Sequence, residues 1–192
     1  MRHSVFTVEV CARMDVAPMM LDQLRPLVQG APERLSRDEA WRRHAAAAGI
    51  ILQFFDIVER GCWEYFDEEA TAKAMFDDWC RPVLDRVVPR QGPSGVPTYR
   101  DAGPRYLCFT LVYLLAYGSP SDLEVRRVCN IRPEDLWKKT TFKRLLGVVK
   151  ALSFASVKGD SMYMVPRDHD WGLTTSDLQG ATYQYLRVLA PD

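Results

Sequence analysis

One long amphipathic period constrains this chain more than any other feature. Ser36 precedes Glu39 by three residues, the reciprocal spacing of a capping box, and Trp41, His44, Ala48, Ile51, Phe55 and Val58 then recur at alternating intervals of three and four. The stripe predicts a helix that starts at Ser36 and is stopped by Gly61, with Ala45, Leu52 and Ile57 widening its buried arc. Such a helix needs a core to cover it. At 192 residues and 47% hydrophobic content, the chain is long enough for one ordinary core or two small ones.

Weaker signals surround this helix. Residues 4–12 alternate, with Phe6, Val8, Val10 and Ala12 on one side and Val5, Thr7, Glu9 and Cys11 on the other, which suits a short strand. Pro18 opens a brief helix through Leu21, Leu24 and Val28 that Pro26 interrupts. A further helix is expected over 67–81, its acids near the positive end of the dipole and Ala72, Met75, Phe76 and Trp79 turned inward. The segment 89–100, PRQGPSGVPTYR, has three prolines, two glycines and no periodicity, which makes 91–100 the expected linker between regions 1–90 and 101–192.

Beyond the linker, 104–117 reads as an apolar helix ended by Gly118, and Ser121 with Glu124 caps the next one. Over 137–152, Trp137, Thr141, Phe142, Leu145, Val148, Val149 and Leu152 share one arc, with Lys139, Lys143 and Lys150 opposite. Two strand-length runs, 153–157 and 162–165, follow on either side of Lys158-Gly159-Asp160-Ser161, a turn-like tetrapeptide. A last amphipathic helix is expected over 175–189, packed on its own chain or against a second copy in a homodimer.

The order of helix, helix, basic helix and hairpin over 104–165 resembles the winged-helix superfamily. Leu146, Val149 and Phe154 match its spaced apolar anchors, and Tyr163 and Val165 its return strand. Together with the helices expected before residue 90, the resemblance implies a mainly α chain: a helical N-terminal region, then a winged-helix-like C-terminal region with a small β-hairpin. It also implies that Lys139, Thr140, Lys143 and Arg144 face a nucleic-acid groove while Lys158 touches phosphate from the wing. Glu134 and Asp135, just before the basic helix, depart from that pattern.

Charge distribution supports a binding role. Lys+Arg and Asp+Glu both number 25, so any pull toward polyanions is local. Five of the six lysines fall between Lys138 and Lys158, whereas 56–78 holds eight acids against Arg60 and Lys73. Lys138, Lys139, Thr140, Lys143, Arg144, Lys150 and Lys158 are therefore the expected contacts to DNA or RNA. The alternative is an assembly or adaptor subunit that meets a protein partner through the acidic segment 64–78 or the winged region.

Catalytic and metal signatures are missing from the sequence. Asp168-His169-Asp170 lacks a third ligand element at defined spacing, no HxH, HExxH or CxxC occurs, and Gly-rich phosphate loops are absent. The reading is therefore of a non-enzyme without cofactor or metal. Five scattered cysteines read as core residues in a reducing compartment, and neither a signal peptide nor a membrane-length apolar run occurs, so a cytoplasmic or nuclear location is expected.

Overall fold

The computed structural model describes residues 2–29, 35–81, 103–165 and 172–191. Its centre is a six-stranded antiparallel sheet built from β1 (His3–Arg13), β2 (Val58–Phe66), β3 (Arg105–Ala116), β4 (Val157–Val165), β5 (Leu173–Thr174) and β6 (Arg187–Val188). The strand order is β4-β3-β1-β2-β6, with β5 extending the pairing of β3. β1 pairs with β3 along its whole length, from His3 opposite Ala116 to Arg13 opposite Tyr106. Strands from before and after the 91–100 segment thus share one sheet; that segment lies outside the described residues.

Helices α1 (Pro18–Gln29), α2 (Arg37–Gln53), α4 (Pro120–Cys129) and α5 (Lys139–Ala151) form the main core against one face of the sheet. Phe6, Val8 and Val10 of β1 and Phe109, Leu111 and Tyr113 of β3 meet that layer. The opposite face is covered by α3 (Glu69–Cys80), by the short helix α6 (Thr175–Gln179) and by the segment after it.

These facts overturn the expectation of a mainly α chain with a small hairpin. Among the described residues, helices take 47% and strands 30%, an α/β composition. The largest error falls on 104–117, expected as a helix and observed as β3, the strand beside the centre of the sheet. Both faces of the sheet are covered, so β3 is buried without a break from Tyr106 to Tyr113 and its sequence is apolar without alternation. An apolar run of that length carries no period to distinguish strand from helix. Lys158 to Ser161 form no hairpin tip either, because Val157–Val165 is one strand running antiparallel to β3. The expected helix over 175–189 closes after Gln179, where Gly180 ends α6 and the chain turns into β6.

Helices with explicit start signals are found near their expected places. Ser36 Oγ accepts from the Glu39 N–H at 3.3 Å while Glu39 Oε2 accepts from the Ser36 N–H at 2.9 Å, completing the capping box of α2. The helix stops at Gln53, eight residues before Gly61, and Phe55 and Val58 stay buried through a 3₁₀ turn (Phe55–Ile57) that leads into β2. α4 is capped by Ser119, whose hydroxyl accepts from the Asp122 N–H, and not by Ser121.

Two buried polar networks lock the helical layer to the sheet. His44 of α2 is 4% exposed and uses both ring nitrogens, Nδ1 with Tyr113 Oη at 2.8 Å and Nε2 with Asp160 Oδ2 at 2.9 Å. Asp122, fully buried, accepts from Tyr65 Oη at 2.7 Å, from the Gly118 N–H at 2.7 Å and from the Ser4 hydroxyl. A buried carboxylate is retained only with such donors around it.

Candidate functional site

Six of the seven residues expected to bind nucleic acid lie on or directly before α5, and the seventh, Lys158, is on β4. The Lys138 ammonium lies 2.6 Å from Asp135 Oδ1, Lys139 Nζ donates to the Asp56 carbonyl at 2.6 Å, and Lys143 Nζ reaches Asp56 Oδ1 at 3.4 Å above the Phe55 ring. Thr140, Arg144 and Lys150 are exposed on α5. The start of α5 is also tied to the C-terminal segment, since the Lys139 N–H donates to the Ala190 carbonyl at 3.0 Å and the Ala190 N–H to the Trp137 carbonyl at 2.8 Å. Lys158 stands apart on β4. Phe142, near the start of α5, packs on Gly61 of β2, so β1 and β3 lie between this end of the helix and Lys158, a gap of three strand spacings or about 14 Å.

A different cluster is assembled on the opposite face of the sheet. Register places Tyr163 of β4, Thr110 of β3, Glu9 of β1 and Cys62 of β2 in one row straight across the sheet. The adjacent row holds Ser161, Val112, Thr7 and Glu64. Because strand side chains alternate between faces, both rows lie on the side away from α1, α2, α4 and α5. Thr7, Glu9 and Thr110 are each no more than 2% exposed, an unusual concentration of polar groups beneath a covering layer.

That layer consists of α3 on one side and the segment after α6 on the other, with a cleft of about 240 Å³ between them. Glu64, Met75, Asp78, Trp79, Tyr163, Thr182, Tyr183 and Tyr185 line it. Trp79 Nε1 donates to Glu64 Oε2 at 2.9 Å, and the Tyr185 hydroxyl donates to Glu9 Oε2 at 2.8 Å. The Trp79 and Tyr185 rings meet edge to face with centroids 5.7 Å apart, and Tyr183 lies beside Tyr185 at 6.5 Å. The hydroxyls of Tyr183, Thr7 and Thr110 are buried and have no hydrogen-bond partner among the described residues.

The electrostatics of this face follow from burial and from its acids. Burial, then Glu64 and Glu9, pushes the Cys62 thiol up to about 12. Burial followed by Glu9 raises Tyr185, and burial followed by Cys108 and Glu9 raises Tyr183. Cys108, beside Cys11, is raised by burial first. These thiols and phenols therefore keep their protons near neutral pH and are poor nucleophiles. Among the described residues, the cleft lining holds two carboxylates and neither a lysine nor an arginine.

A larger, more open depression of about 510 Å³ is lined by Tyr65, Leu123, Arg126, Arg127, Cys129 and Asn130. Its cations are already engaged: Arg126 with Asp67 at 3.2 Å and Arg127 with Glu124 at 2.6 Å. Among the described residues, no group of three or more His, Cys, Asp or Glu is placed to hold a metal ion, and no helix is long and apolar enough to cross a membrane. The triplet Asp168-His169-Asp170 lies outside the described residues.

Sequence reading missed Glu9, Glu64, Trp79, Tyr183 and Tyr185 as a group because they come from β1, β2, α3 and the C-terminal segment. One signal was present: Thr7 and Glu9 sit on the less apolar side of a strand whose other neighbours are hydrophobic. Comparisons with protein-family models, with curated proteins and with solved structures give no match.

Proposed function

We propose that this chain is a non-catalytic binding protein that receives a small organic cation in the cleft between α3 and the segment after α6. The observation that carries this reading is the lining itself, which places the Glu64 and Asp78 carboxylates among Trp79, Tyr163, Tyr183 and Tyr185, with no cationic side chain among the described lining residues. Aromatic faces attract cations through their quadrupole, and the attraction grows where water is excluded. Asp78 is partly occupied by Arg81 at 3.5 Å, whereas no salt bridge reaches Glu64 among the described residues. A cation entering the cleft would gain most from Glu64. Nucleic-acid contact through Lys139, Lys143 and Arg144 has less support, because Asp56 engages the first two.

Isothermal titration with a panel of organic cations and their neutral isosteres tests the reading. Putrescine, cadaverine and choline form the cationic arm, and 1,4-butanediol, 1,5-pentanediol and 3,3-dimethyl-1-butanol the neutral one. Binding of one or more cations, absent for the neutral compounds and weakened at least tenfold by Glu64→Gln, is expected. Glutamine retains an acceptor for Trp79, so the fold survives while the charge is lost. Equal binding of the neutral compounds, or no binding by any cation, would refute the proposal.

A further inference from the structure

We infer that the cation taken by this cleft carries N–H donors, as the terminal ammonium of an alkylamine or of a lysine side chain does, and is not a quaternary ammonium. The inference rests on the organic-cation reading and adds the chemical class of the ligand.

Aromatic lining alone would suit either kind of cation. The floor discriminates between them. Tyr183 is 3% exposed and lines the cleft, yet its hydroxyl has no partner among the described residues. Thr110, 1% exposed, lies in the cross-strand row between Tyr163 and Glu9 and has an equally unpartnered hydroxyl. Thr7, directly opposite Glu64 on β2, is a third such group. Buried polar atoms are nearly always satisfied, and of these three hydroxyls the Tyr183 one lines the cleft, where a ligand's hydrogen bond can reach it, with Thr110 and Thr7 in the strand rows behind.

The complementary inventory is that of an ammonium. It offers three donors and no acceptor, while the cleft offers hydroxyl oxygens and carboxylate oxygens as acceptors. A trimethylammonium head has no donor, so the hydroxyls would stay unpaired and would also be sealed from water, the situation in which a site rejects an analogue lacking a hydrogen-bonding group. Size agrees: at about 240 Å³ the cleft falls below the usual span for drug-sized ligands and suits one end of an alkyl chain, with Met75 and Trp79 along its methylenes.

The test compares each primary ammonium with its N-trimethylated form by isothermal titration on the full chain. Cadaverine represents a free amine, and Nα-acetyl-lysine N-methylamide represents a protein side chain; whichever binds more tightly identifies the source. The expected result is at least tenfold tighter binding of the primary ammonium. Tyr183→Phe should erase most of that preference while leaving the unligated protein at least as stable as the parent, because the hydroxyl it removes has no partner to lose. Trimethylated forms binding as tightly as the primary ones would overturn this inference and leave the organic-cation reading standing. Binding by neither class would overturn both. A Tyr183→Phe variant that keeps the full preference would also count against the floor hydroxyls as the discriminating groups.

Discussion

The Tyr185 hydroxyl donates to Glu9 Oε2 at 2.8 Å, and this bond fastens the segment after α6 to the central strand of the sheet. Glu9 is 2% exposed, so little water can replace a lost donor. Leaving a buried acceptor without its donor costs roughly 1–3 kcal/mol. Tyr185→Phe is therefore expected to lower stability by about 2 kcal/mol, read as a drop in the urea midpoint at unchanged m-value. Tyr183→Phe, two residues away, is expected to lower it not at all. No loss in either variant would show that ring packing, which both keep, and not the bond to Glu9, holds the segment.

Gly61 of β2 lies against the Phe142 ring of α5. A Cβ at Gly61 would fall 2.5 Å from Phe142 Cε1 and 3.0 Å from the Glu9 carbonyl oxygen, and Phe142 is fully buried. With backbone on one side and a close-packed ring on the other, neither neighbour can yield freely. Gly61→Ala should cost about 1–3 kcal/mol by overpacking. Pairing it with Phe142→Leu, which withdraws the ring, should recover part of that loss in a double-mutant cycle. Simple additivity would mean that the strand backbone, not the ring, opposes the methyl group.

The same glycine shows how far the sequence could be read. Local signals that act within a few residues were legible: the Ser36–Glu39 capping box, the apolar arc of α5 and the inward residues of α3 all appear where periodicity put them. Gly61 looked like a helix stop because composition cannot tell a residue that ends a helix from one that lets a distant ring approach a strand. β3 failed for a related reason, since burial on two faces removes the alternation by which a strand is recognised. The candidate site was less legible still. Glu9, Glu64, Trp79 and Tyr185 are spread over nearly the whole chain, and only the antiparallel register brings them together. The lysines pose the opposite case, because closeness in sequence between Lys138 and Lys158 does not bring them together in a fold that puts one at the start of α5 and the other on β4.

Alkaline pH offers a probe of the acidic face. The Cys62 thiol is pushed to about 12 in the folded protein, by burial first and then by Glu64 and Glu9, against about 8.5 for a thiol in an unfolded chain. Because the folded value is raised, the protonated thiol's contribution is complete below the unfolded value and is lost as pH climbs toward 12. Over that window the unfolded chain binds fewer protons than the folded one, so stability falls by up to about 1.4 kcal/mol per pH unit from this group. Cys62→Ala removes the effect. The stability gap between parent and variant should shrink steadily between pH 9 and 11 in urea titrations, and a gap independent of pH would place the Cys62 thiol in an ordinary environment.

Lys158 has a role that fits its true position. β4 is the outer strand of the sheet, nine residues long, and the only charges along it are Lys158 and Asp160. Asp160 is held by His44 Nε2 at 2.9 Å, whereas Lys158 is exposed beside the register shift between Leu114 and Leu115. Lysines and bulges on outer strands deter pairing with a second chain, because a charge must be desolvated and the ladder is locally broken. Lys158→Ile replaces that charge with a β-branched side chain and leaves the apolar run after Ser161 open to edge-to-edge pairing. Sedimentation velocity over a concentration series should show self-association of Lys158→Ile well beyond that of the parent, while Lys158→Glu, which keeps a charge on the edge, should sediment as the parent does. If the glutamate variant associates as readily as the isoleucine one, the lysine acts through a specific contact and not as a guard on the strand.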